Sequence, residues 1–452
     1  MNDTIAAIAT PPGRGGVGIV RVSGPNSKDI CSAITGNLPK PRSANYTIFK
    51  NSDQSQIDQG LCIFFVGPKS FTGEDVLELQ AHGGPVILDM LLRRVLELGA
   101  RLARAGEFSE RAFLNNKMDL LQVEAVAELI NASSEQAAMA ATRSLQGDFS
   151  KLINNLVESL IKLRLYVEAA IDFPEEEINF LADAHVTDSL QRLHTQIINI
   201  YAQAQQGVLL SEGVNAVIVG RPNAGKSTLL NTLTGEETAI VTPIAGTTRD
   251  TIRAKINLDG VLVNIVDTAG LRETDDIVEQ HGIARAVQAM ALADLVLVVV
   301  DATNESVTNP WVLYPALKHQ IKNTTKVMVI YNKIDQLGLE PYVQQHDNHM
   351  VVAISAHQKT GIDLLRDNIK NIVGVTQSAD SGLFLARRRH LDALNRARNS
   401  LELGRQQLEQ NAAGELLAEE LKQAQQALSE ITGQFTSDDL LGRIFSEFCI
   451  GK

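Results

Sequence analysis

The segment Gly220-Arg221-Pro222-Asn223-Ala224-Gly225-Lys226-Ser227 fits the pattern G-x-x-x-x-G-K-[ST]. It follows an apolar run, VNAVIVG (214–220), and opens a helical stretch, STLLNTLTG. A strand, a glycine-rich turn and a helix in that order form a phosphate cradle. The glycines let backbone N–H groups turn inward, and the helix start adds its own unpaired donors. Lys226 brings a cation to the β- and γ-phosphates, and the Ser227 hydroxyl suits a magnesium ion. Further apolar runs follow at VLVNIVD (261–267), DLVLVVVD (294–301), KVMVIYN (326–332) and MVVAIS (350–355). Near-continuous apolar strands separated by helical segments imply a mostly parallel sheet covered on both faces. An α/β P-loop domain is therefore expected over residues 213–375.

The ends of those strands carry polar groups in a telling order. Asp267-Thr268-Ala269-Gly270 closes one strand, where an acid can reach magnesium through water and a glycine N–H can meet the γ-phosphate. Asn332-Lys333-Ile334-Asp335 closes another. The Asp335 carboxylate can accept two hydrogen bonds from guanine, at N1–H and the exocyclic amine. Adenine lacks that donor pair and would leave the acid unsatisfied. Ser355-Ala356 ends the last strand, with backbone N–H groups available for the guanine O6. Alone, an N-K-x-D would read as a solvated loop; in this order at strand ends it reads as a base site. Between the P-loop helix and the next strand, Gly246-Thr247-Thr248-Arg249-Asp250 can deliver a threonine, Thr248, to magnesium, although by itself it would pass for a polar turn. After D-T-A-G comes Leu271, which cannot orient water by hydrogen bonds. Arg272, Glu273, Asp275, Asp276 and Glu279 are the candidates to replace it, and spacing does not choose among them.

The P-loop segment interrupts helical sequence. Residues 1–85 hold seven of the thirteen prolines and short β-rich runs, GIVRVSG (18–24), LCIFFVG (61–67) and DVLELQAH (75–82). Residues 86–100 repeat apolar side chains at helical spacing, so 1–117 is expected to be an α+β domain. From 118 to 212 the pattern is helical, with Phe149, Leu152, Ile153, Leu156, Val157, Leu160 and Ile161 on one helix face and Pro174 breaking the run. The tail, 376–452, also reads as helices. The simplest architecture is multidomain, with the P-loop domain inserted into a discontinuous α-helical domain.

Composition narrows the partners. A net charge of −12 and 4% aromatic residues, with Trp311 the single tryptophan, argue against broad nucleic-acid adhesion or base-stacking platforms. Cys31, Cys62 and Cys449 lack C-x-x-C spacing, so neither a zinc site nor a disulfide framework is expected. The N-terminus lacks the basic start and apolar core of a signal peptide, and no apolar run reaches about 18 residues, so a cytoplasmic enzyme is expected.

GRPNAGKS, TPIAGTTRD, DTAGLRE, NKID and the ending FCIGK together resemble the bacterial MnmE (TrmE) family of tRNA-modification GTPases, of the TrmE-Era-EngA-like superfamily. RVSG, LELQAHGG, RAGEFSERAFLNNKMDL and IDFPEEE extend the resemblance along the whole chain. The GTPase motifs are shared with ribosome-assembly relatives; the N-terminal segments and the Cys-x-Gly-Lys ending are the specific part. The resemblance implies a folate-binding-like N-terminal domain that also dimerises the protein. It further implies a flavoprotein partner, MnmG, carrying FAD, in a heterotetramer or larger complex. Together they would add a carboxymethylaminomethyl or aminomethyl group at C5 of the wobble uridine of certain tRNAs. The one-carbon unit would come from 5-formyltetrahydrofolate or methylenetetrahydrofolate.

By the same resemblance, GTP contacts fall on Asn223, Ala224, Gly225, Lys226, Ser227 and Thr228, on Thr242, Pro243, Ile244, Ala245, Gly246, Thr247 and Thr248, on Asp267, Thr268, Ala269 and Gly270, and on Asn332, Lys333, Asp335, Ser355 and Ala356. Ser227 and Thr248 would hold Mg²⁺, and Asn223, Thr242, Ile244 and Thr247 would hold K⁺. A K⁺ beside the phosphates neutralises transition-state charge as an arginine finger does. Glu279 matches the family's catalytic glutamate and joins Lys226 in the catalytic set. Arg21, Glu78, Lys117 and Lys452 match folate positions. Standing alone they would read as strand-edge residues, a helix start and a frayed terminus. Cys449 would approach the folate as a catalytic or structural group, although a small buried thiol is the plainer reading. The competing function is a ribosome-assembly or RNA-binding GTPase switch. Neither a KH-like GxxG clamp nor a second Walker motif is found to support it.

Overall fold

The computed structural model describes residues 3–132, 134–172, 184–235, 252–258, 261–267, 290–291, 293–315, 317–322, 325–346, 348–373, 383–411, 413–434, 441–442, 444–445, 448 and 451. Two compact units emerge. One comprises Met1–Ala127, Ser144–Gln196 and Ala393–Lys452; the other comprises Glu128–Arg143 and Ile197–Asp392.

The first unit is built on a six-stranded sheet of order β3-β4-β5-β2-β1-β6. Its strands are β1 (Ile5–Ile8), β2 (Gly15–Ser23), β3 (Asn45–Lys50), β4 (Gln56–Phe65), β5 (Val76–Gly83) and β6 (Arg101–Leu102). All neighbours pair antiparallel except β1 with β6. Alternation along each strand sorts the side chains. Val20, Val22, Leu77 and Leu79 face a core closed by α1 (Ser27–Thr35) and α2 (Pro85–Glu97). Arg21 and Glu78 therefore point to the other face, where Ile5, Ala7, Ala103 and Phe108 form a smaller cluster with Phe71. Phe108 comes from α3 (Glu107–Leu114).

A charged network ties α3 to this sheet. Arg111 is almost fully buried, as is Glu107. Arg111 donates to Asp3 O, to Asp3 Oδ1, to both Glu74 carboxylate oxygens and to Glu107 Oε1. Arg101 adds a second guanidinium on Glu107 and Asp3. Burial disfavours the charge on Glu107, but the Arg101 hydrogen bond and the Arg104 N–H outweigh it and hold the carboxyl below its usual range. Such a pair contributes stability at neutral pH that is lost as acid protonates the carboxylate.

The helical part of this unit packs α6 (Asp148–Asp172) against helix Gly414–Thr432. Phe149, Ile153, Leu156, Val157 and Leu160 are buried on the inner face of α6, while Leu152 and Ile161 flank it half-buried. Arg164 Nη1 donates to Gln425 Oε1 at 2.7 Å, so sequence from both sides of the P-loop segment meets in one helical body. The helix ends at Asp172; Pro174 lies outside the described residues. Toward the C-terminus, Ile444, Phe445 and Phe448 are buried with Leu120 and Val123 of α4 (Leu120–Asn131).

The second unit carries a seven-stranded sheet of order β12-β13-β11-β10-β7-β9-β8. The strands are β7 (Val214–Gly220), β8 (Ile252–Leu258), β9 (Val261–Asp267), β10 (Leu295–Asp301), β11 (Lys326–Asn332), β12 (Tyr342–His346) and β13 (His349–Ile354). β9, β7, β10, β11 and β13 run parallel, and β8 and β12 close the edges antiparallel. Ala216 and Ile218 enter one core cluster and Val217 and Val219 the other, so both faces are covered. The five apolar runs read from sequence are these five parallel strands. Below the sheet, Arg388 binds Glu212 and Asp294, and Arg387 binds Glu128. No helix among the described residues is long and apolar enough to cross a membrane.

Replacing Arg111 by alanine would take from half-buried Glu74 its Arg111 hydrogen bonds and from buried Glu107 one of its two guanidinium partners. Arg111→Ala is expected to destabilise the first unit by about 3–5 kcal/mol. Chemical denaturation followed by a probe on the sheet measures it, and a loss below about 1 kcal/mol would show that the network is not holding α3 in place.

Candidate functional site

The parallel strands converge on one edge. β7 ends at Gly220, β9 at Asp267, β10 at Asp301, β11 at Asn332 and β13 at Ile354. Cross-strand register aligns Asp301 with Asn332 and Asn332 with Ile354. The carboxyl edge of a parallel sheet is where α/β folds bind ligands, because loops and helix starts meet there.

The P-loop, 220–227, turns sharply between β7 and α8 (Lys226–Gly235). Asn223 takes φ +64° and Gly225 φ +95°. A Cβ on Gly225 would lie 2.2 Å from Asn332 Nδ2, so this position admits only glycine in the present packing. Lys226 Nζ donates to Gly220 O at 2.7 Å and to Arg221 O at 2.9 Å, which folds the side chain back over the loop. Ser227 and Thr228 follow in the first turn of α8.

Asn332 binds the site together. Its Nδ2 donates to Ala224 O at 2.9 Å, and its Oδ1 accepts from Ala356 N at 3.0 Å. One buried side chain thus joins the P-loop, the N-K-I-D segment and the loop after β13. Thr232 Oγ1, on α8, donates to Ala356 O at 3.0 Å and adds a second tie. Ser355 is buried and locked in a reciprocal backbone pair with Thr360. Asp335 lies in the first turn of a short 3₁₀ helix, Ile334–Leu337, and its Oδ1 is shielded without accepting a hydrogen bond from the described residues. A shielded carboxylate oxygen with no donor is costly unless a ligand supplies one. Guanine N1–H and N2–H are such donors, so the residue fits the base expected from the motif.

The structure thus brings Asn223, Ala224, Gly225, Lys226, Ser227, Thr228, Asn332, Lys333, Asp335, Ser355 and Ala356 to one edge. Of Asp267 the backbone is described, at the end of β9 beside Ile218. Thr242 to Thr248, Thr268 to Gly270, Leu271, Arg272, Glu273, Asp275, Asp276 and Glu279 lie outside the described residues.

Sequence reasoning misses Asp301. Its Oδ2 accepts from Lys333 Nζ at 2.7 Å, and its Oδ1 accepts from Thr303 N and Thr303 Oγ1. Burial works against the charge, but Lys333 and Thr303 outweigh it and hold the carboxyl at about 2. The signal is present: Asp301 is an acid closing an apolar strand, as Asp267 is.

In the first unit, Arg21 and Glu78 are direct partners across β2 and β5, with Nε to Oε1 at 3.0 Å. They are mid-strand residues of two interior strands, which corrects the plainer reading of them as strand-edge groups. The Arg21 guanidinium lies over the rings of Phe71 and Phe108, at 5.5 and 5.8 Å. Lys117 sits in the turn between α3 and α4, not at a helix start, and packs beside Gly73. Thr72 O, in the same 71–74 loop, accepts from Asn115 Nδ2. Gly451, at φ +100°, approaches β1 so closely that a Cβ would fall 2.3 Å from Ile8 O. Cys449 and Lys452 lie outside the described residues.

Comparison with known proteins adds to this geometry. Two family profiles match: "MnmE helical domain" over residues 120–449 and "GTP-binding protein TrmE N-terminus" over residues 4–117. The tRNA modification GTPase MnmE of Ectopseudomonas mendocina is 58% identical over 100% of this chain and 99% of its own. That of Hydrogenovibrio crunogenus is 57% identical with the same coverage. Among solved structures, Aquifex aeolicus Era bound to GDP.AlF4- is 28% identical over 42% of this chain and 66% of its own, at a TM-score of 0.27. Matched by both profiles and 58% identical to a relative from end to end, the chain belongs to the MnmE family of tRNA modification GTPases.

Proposed function

We propose that this chain hydrolyses GTP with the help of Mg²⁺ and K⁺, and that the cycle gates modification of the wobble uridine of certain tRNAs. The observation that carries the nucleotide reading is the Asn332 bridge, which sets the P-loop and the Asp335 carboxylate in one rigid frame. In that frame, backbone N–H groups of 223–227 and the Lys226 ammonium receive the phosphates, and Asp335 selects guanine. Ser227 and Thr248 hold magnesium; Asn223, Thr242, Ile244 and Thr247 hold potassium. The two ions supply positive charge against the β- and γ-phosphates. Asn223 takes a left-handed backbone at φ +64°, a conformation asparagine adopts more readily than most residues, and its side chain is exposed. Glu279 orients the attacking water through a second water, a task that Leu271 cannot perform.

The tRNA chemistry rests on the first unit. The Arg21–Glu78 pair, partly exposed beside the half-buried ring of Phe71, offers a carboxylate for a pterin's amino and ring N–H groups. Lys117 and Lys452 suit the anionic glutamate tail. The close approach of Gly451 to β1 supports bringing Cys449 to the same sheet. A tetrahydrofolate, 5-formyl or methylene, supplies a one-carbon unit there. The chain acts as a cytoplasmic homodimer with the FAD-carrying flavoprotein MnmG and tRNA. Breaking a phosphoanhydride is not needed to form a carbon–carbon bond, so hydrolysis drives closing and opening of the GTPase domains.

Two measurements test these readings. Steady-state GTP hydrolysis in KCl is expected to exceed that in NaCl by about tenfold or more, and Asn223→Ala should erase the difference. Equal rates in the two salts would remove the potassium site. Equilibrium binding of 5-formyltetrahydrofolate should weaken by about tenfold or more in Glu78→Gln, with GTP hydrolysis retained. Undiminished folate binding would move the pterin elsewhere.

A further inference from the structure

We propose that Asp301 is a positioning residue for guanine recognition, acting through Lys333. The inference rests on the GTPase reading above and extends its base site by one residue.

Lys333 holds a left-handed backbone at φ +69°, which a non-glycine residue adopts only when its surroundings impose it. It stands between Asn332, whose side chain grips the P-loop, and Asp335, whose carboxylate waits for the base. A change in backbone direction at Lys333 would therefore turn Asp335 away from the frame set by Asn332. Two contacts impose the conformation. Ala302 N donates to Asn332 O at 2.9 Å, holding the backbone just before Lys333. Asp301 Oδ2 accepts from Lys333 Nζ at 2.7 Å, holding the end of its side chain.

Asp301 is a firm anchor. Thr303 donates twice to its Oδ1, and Asn304 Nδ2 donates to its Oδ2 at 3.1 Å. The carboxylate is more sheltered than the ammonium that it binds, at 13% against 27% exposure, so the pair is screened less than a surface ion pair. The same short loop reaches the P-loop side. Glu305 Oε2 accepts from Arg221 Nη1 at 3.2 Å, and Glu305 O accepts from the Tyr331 hydroxyl at 2.9 Å. Residues 301–305 thus brace the base segment against the phosphate segment, with Asp301 as the member that touches Lys333 directly. Tethering the ammonium also stretches the lysine stem in one direction. A lysine without that tether samples many rotamers, and ordering it would oppose nucleotide binding.

The test uses the full chain and a fluorescent GDP analogue, chased by excess GDP. Asp301→Asn keeps the size and removes the charge; Lys333→Met keeps the stem and removes the ammonium. Each is expected to speed nucleotide release by about tenfold and to raise the KM for GTP by a similar factor, while kcat changes less than KM. The double variant should release nucleotide no faster than the worse single, since both remove one interaction. Asp301→Glu, which keeps the charge, should recover part of the loss, whereas a purely structural lesion at this position would not. Wild-type release from Asp301→Asn, or effects that multiply in the double variant, would overturn the assignment. If Asp301→Asn melts early, release from Asp301→Glu and Lys333→Met decides: slow release from both overturns it too. A parent chain that fails to bind the GDP analogue would overturn both this assignment and the GTPase reading; a parent that binds beside an unaffected Asp301→Asn overturns this one alone.

Discussion

Three loops that share no sequence neighbourhood are held together by the amide of Asn332. It donates to the P-loop at Ala224 and accepts from the loop after β13 at Ala356. Because the group is buried, each lost partner would leave an unsatisfied amide, and the geometry of all three loops is thereby coupled. Gly225 is bound by the same contact, since any side chain there would displace the amide. The P-loop, the N-K-I-D segment and the loop after β13 are consequently packed as one unit.

The first unit relies on a different device. There a buried cation, Arg111, is surrounded by Asp3, Glu74 and Glu107, and the helix that carries it also delivers Phe108 to the Arg21 face of the sheet. Charge burial is tolerable here because nearly every oxygen has a donor. The Arg21–Glu78 pair on the same face is a smaller version, left partly open between two aromatic rings.

Much of the nucleotide domain is legible in the amino-acid sequence. The five apolar runs map onto β7, β9, β10, β11 and β13 because strands buried on both faces need continuous apolar sequence. The sheet edges are not legible. β12 reads YVQQH and β8 reads IRAKINL, with polar residues that an edge strand tolerates and a loop would also contain. β1 is four residues long and is hidden for a different reason, its short length. Asn332 and Asp335 are visible through spacing, yet the bridge from Asn332 to Ala224 and Ala356 depends on packing that no spacing encodes. Asp301 escapes notice because an acid at a strand end is common, and only register across the sheet places it beside Lys333. Arg111 is likewise hidden in a helix whose composition looks solvated.

The proposed base selection depends on a carboxylate held in a fixed relation to a phosphate cradle. Calorimetric titration of the full chain with GTP and with ATP, in magnesium and potassium, measures that relation directly. GTP should bind, and ATP should bind at least about a hundredfold more weakly. Equal affinity for the two nucleotides, or binding of neither, would contradict it.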